Sequence, residues 1–177
     1  MYINHHNISL PENPDTIVWK YLDLSKFLDL LLSQKMFMSR SDKFEDQYEG
    51  TFSEPTFEEI KKIAANNPEF LYYYKSHREK VAISSWHTNE YESFAMWQIF
   101  TKNQEGLAIQ STIGRLKEAL QLEKKSKQYI GEVNYIDYKK EYIPFDDNFF
   151  RSYLNEKVFS TNVKLGLLPM LQNKIFR

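Results

Sequence analysis

The sequence predicts an α+β domain with a small mixed or antiparallel sheet packed by several amphipathic helices. Three observations carry that prediction. Short runs rich in β-branched and aromatic residues, such as TIVWKYL and VAISSW, read as strands. Between them lie stretches whose apolar residues recur at helical spacing behind a capping residue. The two kinds alternate irregularly, without the strand–helix–strand rhythm of a parallel α/β fold. The chain has 177 residues, enough for one domain.

Each element has its own local reason. Residues 1–15 are polar and carry Pro11 and Pro14, so they read as an irregular arm. Residues 16–22 form a strand. Ser25 caps a helix over 25–34, where Phe27, Leu28, Leu31 and Leu32 make one apolar stripe. Residues 35–39 return as a strand, and the charged run SRSDKFEDQYEG follows as a loop. Thr56 and Glu59 match a capping box ahead of Phe57, Ile60 and Ile63. Asn67 and Pro68 open another helix that runs to Lys80. Residues 81–86 are a strand. Asn89 and Glu92 read as a cap and its returning acid for a helix over 90–100. That helix is apolar on most sides and therefore expected to be central.

Gly106 ends the next connection and leads into a strand over 107–111. Ser111 or Thr112 then caps a helix with Ile113, Leu116 and Leu120 on one side. Residues 128–138 alternate as a half-buried strand, and 139–148 are acidic and turn-like. Residues 149–160 read as a helix through Phe150, Tyr153, Leu154 and Val158. Residues 161–177 show no clear period and read as an atypical tail, so the domain is placed at 16–160.

Composition excludes several function classes. Lys plus Arg total 23 against 24 acids, a net charge of −1, so there is no global basic footprint for nucleic acid. The chain has no Cys, hence no disulfide, no thiol nucleophile and no Cys-ligated zinc or iron–sulfur cluster. That fits a cytosolic setting. His5 and His6 are adjacent and His77 has no partner at ligand spacing, so no metal is expected. The N-terminus lacks the pattern of a signal peptide, and no apolar run approaches the ~20 residues of a membrane span. With five Gly and no GxGxxG or GxxxxGK[ST] pattern, a Gly-rich phosphate loop is not expected, and the identity of any cofactor stays open.

Five blocks in order carry a resemblance: a WKY strand, the SRSDKFEDQYEG loop, SSWHTNEYESFAMW, GLAIQST and VNYIDY. Over residues 18–138 the chain resembles the prokaryotic domain-of-unknown-function family 2971. The resemblance implies a cytosolic protein of a bacterium, a phage or a mobile element; it implies no mechanism. After residue 138 the chain departs from the family's pattern, which continues with an acid- and Arg-containing strand. A divergent or truncated C-terminal part is therefore expected.

The candidate chemistry lies at expected strand ends. Arg40 can clamp a phosphate or carboxylate, and Lys43, Glu45 or Asp46 can complete a charged pocket edge after Ser39. The plainer reading is a charged turn that Phe44 and Tyr48 anchor. His87 and Glu92 can form an acid–base pair beside Trp86; the plainer reading is an exposed His and a helix-capping Glu. Lys20 and Tyr21 end the first strand. Their layout with Ser39 and Arg40 parallels the first two elements of an ADP-ribosyltransferase site, whose late Glu has no counterpart here.

Two functions follow as expectations. One is a nucleotide- or nucleic-acid-directed enzyme, or a defence or toxin-type effector, with a charged pocket that takes a nucleotide or another anionic ligand. Its catalytic residues would be Arg40, Asp46, His87 and Glu92, and Lys20, Tyr21, Ser39, Lys43, Glu45 and Trp86 would bind. The other is a protein-interaction module, with a patch at Phe149, Phe150 and Tyr153, or a truncated inactive family member. The first reading needs the segment around Arg40 to fold beside the Trp86–His87 junction; the absence of a pocket near Arg40 would favour the second.

Overall fold

The computed structural model describes residues 11–46, 48, 51–65, 72, 76, 78–79, 81–101, 105–122, 128–133 and 136–143, and the backbone of residues 160–165. In chain order these form β1 (Ile17–Asp23), α1 (Leu24–Ser33), β2 (Ser39–Arg40), a short 3-10 turn (Ser41–Lys43), α2 (Glu54–Ala64), β3 (Val81–Thr88), α3 (Phe94–Phe100), β4 (Gly106–Thr112), α4 (Ile113–Gln121), β5 (Gln128–Glu132) and β6 (Ser160–Leu165). Residues 72, 76, 78 and 79 are also helical. Residues 149–159 of the expected helix over 149–160, residues 1–10 of the N-terminal arm, most of the helix after Pro68 and the tail beyond 165 lie outside the described residues, and Ser160 is strand.

The fold is α+β, as the alternation of patterns predicts, and the sheet is mixed. Its strand order is β4-β1-β3-β6-β5, with β2 alongside β3. One half is antiparallel. β1 pairs with β4 from Ile17↔Thr112 to Asp23↔Gly106, and with β3 at Val18↔Thr88 and Trp19↔His87. The other half is parallel, because β6 lies between β3 and β5 and runs with both. Residues 160–165 are thus an inner strand, not a tail outside the domain. The domain extends past the boundary placed at residue 160.

Strand alternation sorts side chains onto two faces. On one face Val18, Trp86 and Ile130 pack against Ile113, Leu116 and Leu120 of α4, and Met36 and Met38 close over the same cluster. Each large side chain buried this way contributes about 1.5–3 kcal/mol. The stripe of α4 is the one the spacing predicts, and Thr112 caps it through Arg115 N–H at 3.3 Å. On the other face Trp19 and Tyr21 pack with Met96 and Trp97 of α3.

Several local expectations are corrected. α1 is capped by Asp23, not Ser25. The Asp23 carboxylate accepts from Lys26 N–H at 2.8 Å, while the Ser25 hydroxyl donates to Asp23 at 2.6 Å. Of residues 35–39, only Ser39 joins a strand, although Met36 and Met38 still turn inward and Phe37 outward. α3 starts at Phe94 behind Ser93, not at residue 90. It is peripheral, because Phe94, Ile99 and Phe100 are exposed and only Met96 is buried. β5 stops at Glu132, and residues 138–140 turn.

Thr56 is no helix cap. α2 begins at Glu54 behind Ser53, and Thr56 sits inside it, fully buried. Its hydroxyl donates to the Ile143 carbonyl at 2.8 Å and accepts from Ile143 N–H at 2.9 Å. Glu54 N–H donates to the Tyr138 carbonyl at 2.8 Å. The start of α2 thereby holds the segment 138–143 in place. The buried face is Thr56, Ile60 and Ala64, one residue per helical turn, so Phe57 and Ile63 fall outside it. Thr56→Val keeps the shape but leaves both Ile143 groups unpaired. It is expected to lower stability by about 1–2 kcal/mol in urea denaturation.

Candidate functional site

The edge of β3 that faces β1 and β2 has a gap. β1 pairs with β3 only at residues 87 and 88, and β2 only at residues 82 and 83. Between these pairings the chain leaves through α1 and returns, so residues 84–86 have no strand partner on that edge among the described residues. Lys20 fills this seam. Its ammonium donates to the Ser84 hydroxyl at 2.9 Å and to the Ser85 carbonyl at 3.0 Å. Ser84 is itself buried, and its hydroxyl lies 3.8 Å from the Met36 sulfur. Both partners of the ammonium are neutral, and among the described residues no carboxylate lies within ion-pair distance of it. Burial, with the nearby Lys26 charge as a second cause, lowers the Lys20 pKa from 10.5 to about 8.

Ser39 pairs with Ile83, so its side chain lies on the face opposite Lys20 and Ser84 and it does not join them as a binding residue. Ser84 and Ser85 are site residues that the sequence reading missed. Their signal was present: two small polar residues stand inside the strand AISSW, where apolar side chains are expected.

The other candidates are committed elsewhere. Arg40 pairs with Ala82 in the backbone, and its exposed guanidinium holds Asp42 bidentately, Nε to Oδ1 at 2.9 Å and Nη2 to Oδ2 at 2.7 Å. That pairing raises the Arg40 pKa and lowers that of Asp42. Lys43, also exposed, lies 3.7 Å from the same carboxylate. Asp46 accepts from Tyr48 N–H at 2.9 Å, which closes a turn, and Glu45 is exposed. Phe44 packs on Val81 and Ile83. Arg78 clasps the loop: its Nη2 donates to the Ser41 carbonyl at 3.0 Å, and the Ser41 hydroxyl donates to the Arg78 carbonyl at 2.9 Å. The described part of this loop is a fixed turn in which Arg40 and Asp46 each have a structural partner.

His87 is no exposed loop residue. It lies in β3, is 4 % exposed, and has the Tyr21 ring 6.5 Å away. Neither of its ring nitrogens, nor Trp86 Nε1, finds a hydrogen-bond partner among the described residues. Burial lowers the His87 pKa below 6.5, so the imidazole is neutral at pH 7. Glu92 accepts from Trp97 Nε1 at 2.9 Å and neither caps Asn89 nor pairs with His87. The Asn89 carbonyl accepts from Trp19 Nε1 at 2.9 Å, and the Tyr21 hydroxyl accepts from Ser93 N–H at 2.9 Å.

Arg40 and His87 therefore do not share a hollow. Ala82, the β3 partner of Arg40, is five residues from His87, about 16 Å at strand rise, and the two side chains project from opposite faces. The structure brings together Lys20, Ser84 and the Ser85 carbonyl, and turns Ser39 to the other face. It keeps Arg40 with Asp42, and Tyr21 and His87 with α3.

Among the described residues no group of three or more His, Asp or Glu is placed to hold a metal ion, and no helix is long and apolar enough to cross a membrane. Comparison of the chain with protein-family models, curated proteins and solved structures finds no match.

Proposed function

We propose that the protein binds a phosphate-bearing ligand of the nucleotide or nucleic-acid type at the β1–β3 seam, as an enzyme or a defence or toxin-type effector. One observation carries the reading. Lys20 is a half-buried cation with two neutral acceptors and no counter-charge among the described residues. A cation in a low-dielectric setting without an anion attracts one more strongly than an exposed lysine does. The hydroxyl of Ser84 beside it is of the kind that donates to phosphate oxygens. Lys20 also lies inside a block that resembles family 2971.

The ammonium is the binding form, so affinity should fall as pH rises through about 8, where Lys20 gives up its proton. Titration of the protein with ATP, a short single-stranded oligonucleotide and inorganic phosphate, followed by lysine side-chain NMR, tests this. The expected result is that one of the first two moves the Lys20 pKa upward, toward 10.5, and that Lys20→Met weakens its binding at least tenfold. An unmoved Lys20 signal with all three probes ends the proposal.

A further inference from the structure

α1 carries an apolar surface that nothing described covers. The helix packs on β1 and β4, yet none of its residues is buried. Phe27 and Leu30 are half-buried and mark its inward side. Leu24, Leu28, Leu31 and Leu32 are 46 %, 47 %, 57 % and 86 % exposed. At 100° per residue these four leucines lie within one arc of about 100° that points away from the sheet. Phe37, just past the left-handed Gln34 that ends the helix, is exposed as well.

We propose that this leucine face is the interface of a two-fold homodimer of the chain. The argument for a second copy rests on charge and area. A two-fold axis sets each residue near it against its own duplicate, so only an uncharged face escapes like-charge repulsion. The chain is 27 % charged, yet the arc from Leu31 through Leu24 and Leu28 to Leu32 holds no charge. Lys26 lies on the far side of the helix, turned to Asp23 at 3.4 Å, and Asp29 sits at the rim. A partner of strong positive or negative charge would find nothing here to pair with.

The four leucines expose on the order of 400 Å² per copy, the size at which a monomer's largest apolar patch is commonly functional. Two such faces with their rims approach the ~1,000 Å² lower end of specific interfaces. That predicts a weak, concentration-dependent dimer. The geometry suits it too. Leu24, Leu28 and Leu32 form a ridge of residues four apart, which packs into the matching groove of a copy at a crossing of about −50°.

Sedimentation velocity of the full chain over a hundredfold range of concentration tests the inference. The wild-type protein is expected to move from one to two chains, and Leu28→Asp with Leu32→Asp to raise the dissociation constant at least tenfold. Both side chains are exposed in the monomer, so an unchanged circular-dichroism melting curve checks that the variant is folded. Leu122→Asp, also on an exposed leucine but at the end of α4, should dimerise as the wild type does. A wild-type chain that stays monomeric throughout, because a foreign partner or another part of the chain covers the leucines, overturns the proposal. So does a dimer that survives both aspartates.

Discussion

Raising the pH from 7 to about 10.5 is expected to stabilise the wild-type protein by roughly 2–3 kcal/mol relative to a Lys20→Met variant. The sign follows from the seam. Burial holds the folded-state pKa of Lys20 at about 8, against 10.5 in a solvated chain. Between those values the unfolded chain keeps a proton that the folded chain has released. Unfolding then takes up a proton, so stability rises with pH across that window. Below about 8 both forms are charged, and the whole cost of burying the ammonium applies. Met removes that cost at neutral pH but deprives the Ser84 hydroxyl and Ser85 carbonyl of their donor. The balance at pH 7 is therefore small, whereas the pH dependence of the difference is large. Other groups titrate in the same range in both proteins and cancel in the comparison. Urea unfolding of the pair at several pH values provides the measurement. A difference that stays constant with pH would mean that Lys20 is not buried as a charge, and the seam would lose its standing as an anion site. A lysine buried as a charge with little net gain in stability at pH 7 is the kind of residue kept for binding.

How much of this the sequence carried depends on the distance over which each feature is determined. The stripe of α4 was legible because Ile113, Leu116 and Leu120 are spaced within one helix and all three are buried. β1 was legible for the same local reason. The cap of α1 was misplaced by two residues because Asp23 and Ser25 are both good caps, and they bond to each other. The strand β6 went unread although Thr161, Val163 and Leu165 alternate with Ser160, Asn162 and Lys164; six residues are a short window for that period. The charged loop was read as a site because its residues suit chemistry. What fixes it is Arg78, 37 positions from Ser41, a contact that no local pattern announces. The seam is likewise a product of topology: it exists because β1 and β2 meet one edge of β3 at separate places. Lys20 could be nominated from the sequence, but Ser84 and Ser85 join it only through that pairing.

Acidification should reveal the second buried base. Below pH 6.5 the wild-type protein is expected to lose stability relative to a His87→Leu variant, at up to the one-proton limit of about 1.4 kcal/mol per pH unit. His87 lies in β3, paired with Trp19 of β1 and with the Tyr21 ring nearby, and neither ring nitrogen has a partner among the described residues that would steady an imidazolium. The carboxylate recorded near that face, Glu92, is exposed and engaged with the Trp97 indole. Burial therefore depresses the folded-state pKa. Above 6.5 both folded and unfolded chains are neutral at this position and the contribution to stability is complete. As pH falls, the unfolded chain gains a proton first, and the native state is undercut until its own pKa is reached. Thermal unfolding of the two proteins between pH 7.5 and pH 5, plotted as a difference, reads this directly. Parallel curves would show that His87 has a partner able to hold its proton, and would reopen it as an acid–base residue. A difference that widens toward acid would fix it as a neutral core side chain. Together with Lys20 on the opposite face of the same strand pair, it would then place the protein's stability optimum on the alkaline side of neutrality.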